Sequence, residues 1–117
     1  MKNIKSEVYC TLQVEATHNW PHCPFDEVDY LRVPHRHIFH IKAHKLVSHG
    51  DRDQEFIMLK HLIEEYIADN YYRNTRKICE FGPKSCEMLC AELIEQFDLC
   101  QCEVSEDLEN GAILTVL

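Results

Sequence analysis

Residues 35–47 read HRHIFHIKAHKLV. Side chains of an extended strand alternate between two faces, so His35, His37, Phe39 and Ile41 point one way and Arg36, Ile38, His40 and Lys42 the other. Upstream, residues 8–18 read VYCTLQVEATH and alternate more cleanly. Val8, Cys10, Leu12, Val14, Ala16 and His18 form one face, and Tyr9, Thr11, Gln13, Glu15 and Thr17 the other. Two half-buried strands are therefore expected. If they pair antiparallel, the end of the first lies beside the start of the second, and His18 approaches His35 and His37.

Between them, residues 19–34 (NWPHCPFDEVDYLRVP) hold three of the four prolines and read as an irregular connection, long enough to suggest a functional loop. Downstream, Gly50 and Asp51 break the second strand. Asp51 or Asp53 is the expected cap of a helix whose stripe is Phe56, Leu59, Ile63 and Ile67, ending near Asp69–Asn74. Gly82-Pro83 punctuates the next connection. Ser85 is the expected cap of a second helix with Leu89, Leu93 and Phe97 on its stripe, supported by Met88 and Ile94. Residues 100–106 and 112–116 read as two short strands, with Asn110-Gly111 as the turn between them. The expected fold class is α+β in the order ββααββ, one domain over residues 1–117.

The net charge of −8 argues against nucleic acid as a partner, because phosphate contacts need clustered Lys and Arg. The densest basic stretch is Arg73, Arg76 and Lys77. No apolar run approaches a membrane span and the N-terminus has no signal-peptide core, so a cytoplasmic protein without a membrane partner is expected. Seven cysteines without a C-x-x-C pair argue against a zinc ribbon; they read as reduced, partly buried groups, with Cys100 and Cys102 on one face of a strand. Glu103, Asp107 and Glu109 read as solvated charges.

The chemistry-bearing constellation is His18 with His35 and His37. Two histidines two apart on a strand project from one face, and a third from a paired strand can converge on the same ion. Three neutral imidazoles with an open fourth position suit zinc, and also other divalent transition metals. Spacing alone is equally compatible with three structural histidines at a sheet end, since the chain has eight.

Residues 14–42 resemble the N-terminal signature of the 6-pyruvoyl/6-carboxy-tetrahydropterin synthase family: an apolar strand ending in A-T-H (Ala16, Thr17, His18), a loop, then H-R-H (His35, Arg36, His37) where the family has H-G-H. The resemblance continues through Asp53 to Lys60, Pro83 to Glu87, and Val104 to Asp107, so it spans nearly the whole chain in order. It implies a tunnelling fold (T-fold): an antiparallel sheet with two helices on one face, joined between subunits into an oligomeric barrel, a trimer or hexamer. It also implies zinc on His18, His35 and His37. Glu106 would be the carboxylate reading the N–H edge of a pterin-like ring, two parallel bonds that a carboxylate accepts well. Glu87 and Arg36 join Glu106 as expected ligand contacts. The stretch Glu106–Ala112, EDLENGA, also resembles the ending of small phage-encoded proteins.

Two catalytic positions of that family differ here. Its cysteine four residues before H-G-H corresponds to Leu31, and its D-H pair after the first helix corresponds to Asp69-Asn70. An amide does not relay protons as imidazole does. Cys23, His22 and Asp69 are the remaining catalytic candidates. Four readings stay open. One is a metal-containing protein that binds a pterin-, purine- or nucleotide-like molecule without turnover, for example phage sequestration of a host nucleotide signal. The others are a divergent lyase of pterin or 7-deazaguanine metabolism using Cys23 or His22, a zinc hydrolase using Glu15 or Asp69, and a metal-free assembly module.

Overall fold

A computed structural model describes residues 2–117. Two long strands dominate it, β1 (Ser6–His18) and β2 (His35–Val47), antiparallel along their whole length in the register Ser6↔Val47 to His18↔His35. The alternation read from the sequence is the burial pattern observed: Cys10, Leu12, Ala16 and His18 of β1 and Phe39, Ile41 and Ala43 of β2 are buried.

Helix α1 (Phe56–Tyr71) follows, then the two-residue strand β3 (Tyr72–Arg73), β4 (Ile78–Gly82), helix α2 (Cys86–Phe97), β5 (Gln101–Glu106) and β6 (Asn110–Thr115). The sheet order is β3-β4-β1-β2-β5-β6. The molecule is thus α+β, with a six-stranded mixed sheet, the two α-helices and a 3-10 segment at Asp26–Arg32. The four expected strands pair antiparallel. The expectation of a wholly antiparallel sheet is corrected by β4, which runs parallel to β1 at Ala16–His18 with a register shift between Thr17 and His18. Strand β3 escaped the sequence reading because two residues cannot display alternation, while β4 buries Cys79 and Phe81 on one face but lies in the stretch read as the connection between the helices.

Both helices pack on the same face of the sheet. Leu59, Ile63, Ile67 and Tyr71 of α1, and Cys86, Leu89, Cys90 and Leu93 of α2, join the buried strand residues in one cluster. Each such Leu, Ile or Phe contributes about 1.5–3 kcal/mol of transfer free energy. Phe56 and Met88, placed on these stripes by the sequence, are exposed instead: Phe56 is the first residue of α1, and Met88 is turned about 100° from its neighbour Leu89, off the buried face. Ser85 caps α2 as expected, accepting from the Met88 amide at 3.1 Å. The cap of α1 is Glu55, which accepts from the Met58 amide at 2.8 Å. Asp53 instead closes the preceding turn by accepting from the backbone and hydroxyl of Ser48.

The β5–β6 turn also falls earlier than expected. Asp107 and Leu108 adopt left-handed backbone, while Asn110 and Gly111 belong to β6 and pair with Glu106 and Ser105. Glycine is required at 111 for another reason: a Cβ there would overlap Val104 O and Ser105. All seven cysteines are free thiols, six of them buried. Arg73 and Arg76 pair with Glu80, which disperses the one basic stretch. Among the described residues, no helix is long and apolar enough to cross a membrane.

Candidate metal centre

The β1–β2 register places His18 directly opposite His35 and Ala16 opposite His37. Ring centroids are 4.6 Å apart for His18–His35, 5.1 Å for His35–His37 and 5.6 Å for His18–His37. Glu106 arrives from β5, where it pairs with Phe39. One donor atom from each of His18, His35, His37 and Glu106 lies within 4.8 Å of the others. Phe39 forms the floor, edge-on to both His18 and His37.

The hydrogen bonds behind the cluster decide what it can do. His18 Nδ1 donates to the Lys84 carbonyl at 2.9 Å and His35 Nδ1 to the Val33 carbonyl at 2.9 Å. A carbonyl only accepts, so Nδ1 carries the proton in both rings. His37 Nδ1 faces the Asp107 carboxylate at 2.7 Å. In each neutral ring Nε2 is then a bare lone pair, and the three lone pairs share one space with a carboxylate. His18 Nε2 is the sharpest case. It is buried, lies 2.7 Å from Glu106 Oε2, and finds no hydrogen-bond partner of proper geometry. Of these two descriptions, the short ion pair holds only for a protonated ring. Burial pushes the His18 imidazole below its ordinary value, against the pull of the Lys84 carbonyl and Glu106, so the unpartnered lone pair is the better account. Three imidazoles with one carboxylate, gathered this closely, suit a divalent transition metal. Pinning the second ring nitrogen to a fixed acceptor is the arrangement that orients metal-ligating histidines.

Asp107, expected as a solvated charge, is a structural part of this centre. Its Oδ2 holds His37, its Oδ1 accepts from the Ile38 amide at 2.9 Å, and its own amide donates to Ile38 O. The Ile38 amide and His37 together keep its carboxyl below the usual range. Its left-handed backbone aims it back at β2, a feature its place beside Glu106 did not announce. Lys84, whose carbonyl orients His18, is anchored in turn. Its ammonium reaches Tyr71 Oη at 2.5 Å and pairs with Glu92, which also accepts from Tyr66 at 2.8 Å. Burial alone would raise the Glu92 carboxyl, but Lys84 and the two tyrosine hydroxyls outweigh it and hold it low.

A cavity of about 490 Å³ opens beside the cluster. His18, His35 and Glu106 form one wall, Asn19, Trp20 and Leu31 of the 19–34 connection a second, and Pro83 to Met88 at the start of α2 a third, with Asn110 and Gly111 completing it. Of the ligand-contact expectations, Glu106 and Glu87 line this cavity. Arg36 does not, because alternation puts it on the opposite sheet face, where Glu15 engages it. The catalytic candidates are likewise elsewhere. Cys23 is folded into its own loop, its thiol facing the carbonyls of Phe25 and Val28. His22 and Asp69 are exposed and absent from the cavity wall. Asn70 only caps its own helix, donating to Tyr66 O. The thiol that does line the cavity, Cys86, was not singled out in the sequence. Burial and then the Glu106 charge push it up to about 12, which keeps it protonated. A second depression of about 560 Å³ lies around Gln13, His40 and Lys42. It is larger, but among the described residues it gathers no set of three metal donors. No family model and no curated protein matches this chain.

Proposed function

We propose that this protein is a zinc-bearing T-fold protein that binds a pterin-, purine- or nucleotide-like small molecule and releases it unchanged. The observation that carries the reading is the composition of the cavity wall. Metal donors meet a ring-sized space, yet the position corresponding to the family's catalytic cysteine is Leu31, whose side chain has no proton to transfer. A divalent metal on His18, His35 and His37 supplies a Lewis-acidic centre for a ligand oxygen or nitrogen. Glu106 offers its carboxylate to a ligand N–H edge, and its place within the donor cluster also lets it approach the metal.

The sheet supports assembly with further copies of the chain. Strand β4 covers β1 only at Ala16–His18, so the outer edge of Ser6–Glu15 carries no partner strand among the described residues. Strand β6 ends the other side of the sheet in the same state. Two open edges on one protomer fit a head-to-tail ring, the trimer or hexamer that the resemblance implies. Sedimentation of a monomer at all concentrations would remove this part of the reading. Storage of a host nucleotide signal by a phage protein is the biological role that fits binding without turnover.

The test is retention. Zinc-loaded protein is incubated with dihydroneopterin triphosphate, guanine nucleotides and cyclic nucleotides, freed of unbound compound and denatured, and the released material is identified by mass spectrometry. The expected result is one compound class released unchanged. A new product in place of the compound added overturns the binding reading in favour of a divergent lyase.

A further inference from the structure

The 19–34 connection is a small folded unit in its own right. The Trp20 amide donates to Leu31 O at 2.6 Å, and Asn19 Nδ2 donates to Arg32 O at 3.0 Å. The Cys23 amide returns to Trp20 O at 3.1 Å, and Arg32 Nε donates to Cys23 O at 2.9 Å. These bonds hold the backbone of Trp20 from both sides and join it to Leu31, its neighbour in the cavity wall. Below it, the Asn19 amide donates to Gly82 O at 2.9 Å, which ties the connection to the sheet end that carries the histidines.

Against this fixed backbone, Trp20 is 43% exposed. Phe25 packs against it in a T-shaped arrangement with centroids 5.9 Å apart, which limits its rotamers without covering it. A tryptophan with a fixed backbone, partly uncovered and set in the wall of a cavity, has aromatic surface to offer to what fills that cavity. The wall it shares carries the polar groups His18, His35 and Glu106.

We propose that Trp20 is the platform on which a planar heteroaromatic ring stacks, with the ring's polar edge turned toward the histidine–glutamate cluster. The proposal rests on the reading of the cavity as a small-molecule pocket and adds the residue that selects flat ring systems over sugars and open-chain ligands. Stacking depends on the π face and only weakly on ring substituents, so Trp20 sets the class of ligand while Glu106 and the metal read its edge. The longer connection, which separates His18 from His35, then has a purpose beyond joining two strands: it brings a stacking surface to a site the sheet builds without one.

Trp20 is the single tryptophan of the chain, so its fluorescence reports this position alone. Zinc-loaded wild type, Trp20→Ala and Trp20→Phe are titrated with GMP and with neopterin by calorimetry, and GMP binding to wild type is followed by tryptophan fluorescence. Zinc content is measured for all three. The expected result is saturable quenching at the calorimetric midpoint. Affinity should fall about tenfold or more in Trp20→Ala and by less than about threefold in Trp20→Phe, at equal zinc content. Equal affinity of wild type and Trp20→Ala, or binding that leaves the fluorescence unchanged, overturns the platform while leaving the pocket reading standing. Failure of both compounds to bind zinc-loaded wild type overturns the pocket reading and the platform with it.

Discussion

Strand β2 carries histidines on both of its faces, and the two sets have different fates. His35 and His37 face the helices, join His18 and Glu106, and have their Nδ1 atoms held by a carbonyl or a carboxylate. His40 and His44 face the open side. His44 stacks on Tyr9 at 5.5 Å and meets Glu7 at 3.2 Å, while His40 sits opposite Gln13 in the broad depression. The residue type is the same and the strand is the same; only the parity of the position differs. On the helix side each ring is held by an acceptor behind its Nδ1, and the three Nε2 atoms converge beside Glu106. On the open side His44 is engaged by Tyr9 and Glu7, and neither it nor His40 joins a convergent donor set among the described residues. The rings that form the candidate metal set are the ones with a fixed acceptor behind them.

The sharpest way to break this comparison is to remove one histidine from each side. His18→Ala is expected to reduce bound metal from one equivalent to background by elemental analysis, whereas His40→Ala leaves it unchanged. Equal metal loss in both variants would mean that the cluster is not the site.

The floor of the two sides should differ nearly as much. Phe39 is fully buried and packs against His18, His37 and Phe81. Phe39→Ala is expected to cost about 3–5 kcal/mol in urea unfolding. Tyr9→Ala, on the open face under Lys42, should cost about 1 kcal/mol or less.

The carboxylates behind the rings give a smaller and more specific contrast. Asp107→Asn weakens the acceptor behind His37 and should lower metal affinity about 10–100-fold in a chelator competition. Glu7→Gln, behind His44, should leave it within experimental error. A fold-neutral Asp107→Asn with unchanged affinity would show that orientation of His37 by Asp107 is dispensable.

The smallest effect is on pH dependence. Burial lowers the folded-state pKa of His18 below its ordinary 6.5. The unfolded chain therefore binds more protons between that value and the lowered one. Stability of the metal-free fold should fall as pH drops through this window and level off below it. His40→Ala should retain this slope and His18→Ala should lose it, as read from urea midpoints across the window.

Much of this was legible in the chain. The alternation over residues 8–18 and 35–47 gave the two long strands, their buried faces and the convergence of His18, His35 and His37. Ser85 was readable as a cap because a hydroxyl before an apolar helical stripe has one dominant use. Strand β3 was not legible, since two residues carry no period, and β4, whose Cys79 and Phe81 alternate, was passed over because Gly82-Pro83 marked the stretch as a connection. The cap of α1 was misplaced because three acidic residues, Asp51, Asp53 and Glu55, compete for it over a short stretch, and the Ser48 turn takes Asp53.

The sequence by itself determined which residues face the helices, because side-chain parity is a local property of an extended backbone. That was enough to nominate three metal ligands. Only the tertiary structure decided that Arg36 is turned away toward Glu15, that Cys23 is sealed inside its own loop, and that Lys84, Asp107 and Val33 hold the three rings. It alone brought Trp20, Cys86 and Gly111 to one cavity. Such contacts join residues far apart in the chain, and their geometry depends on register, a left-handed turn and helix packing together, none of which a local pattern encodes.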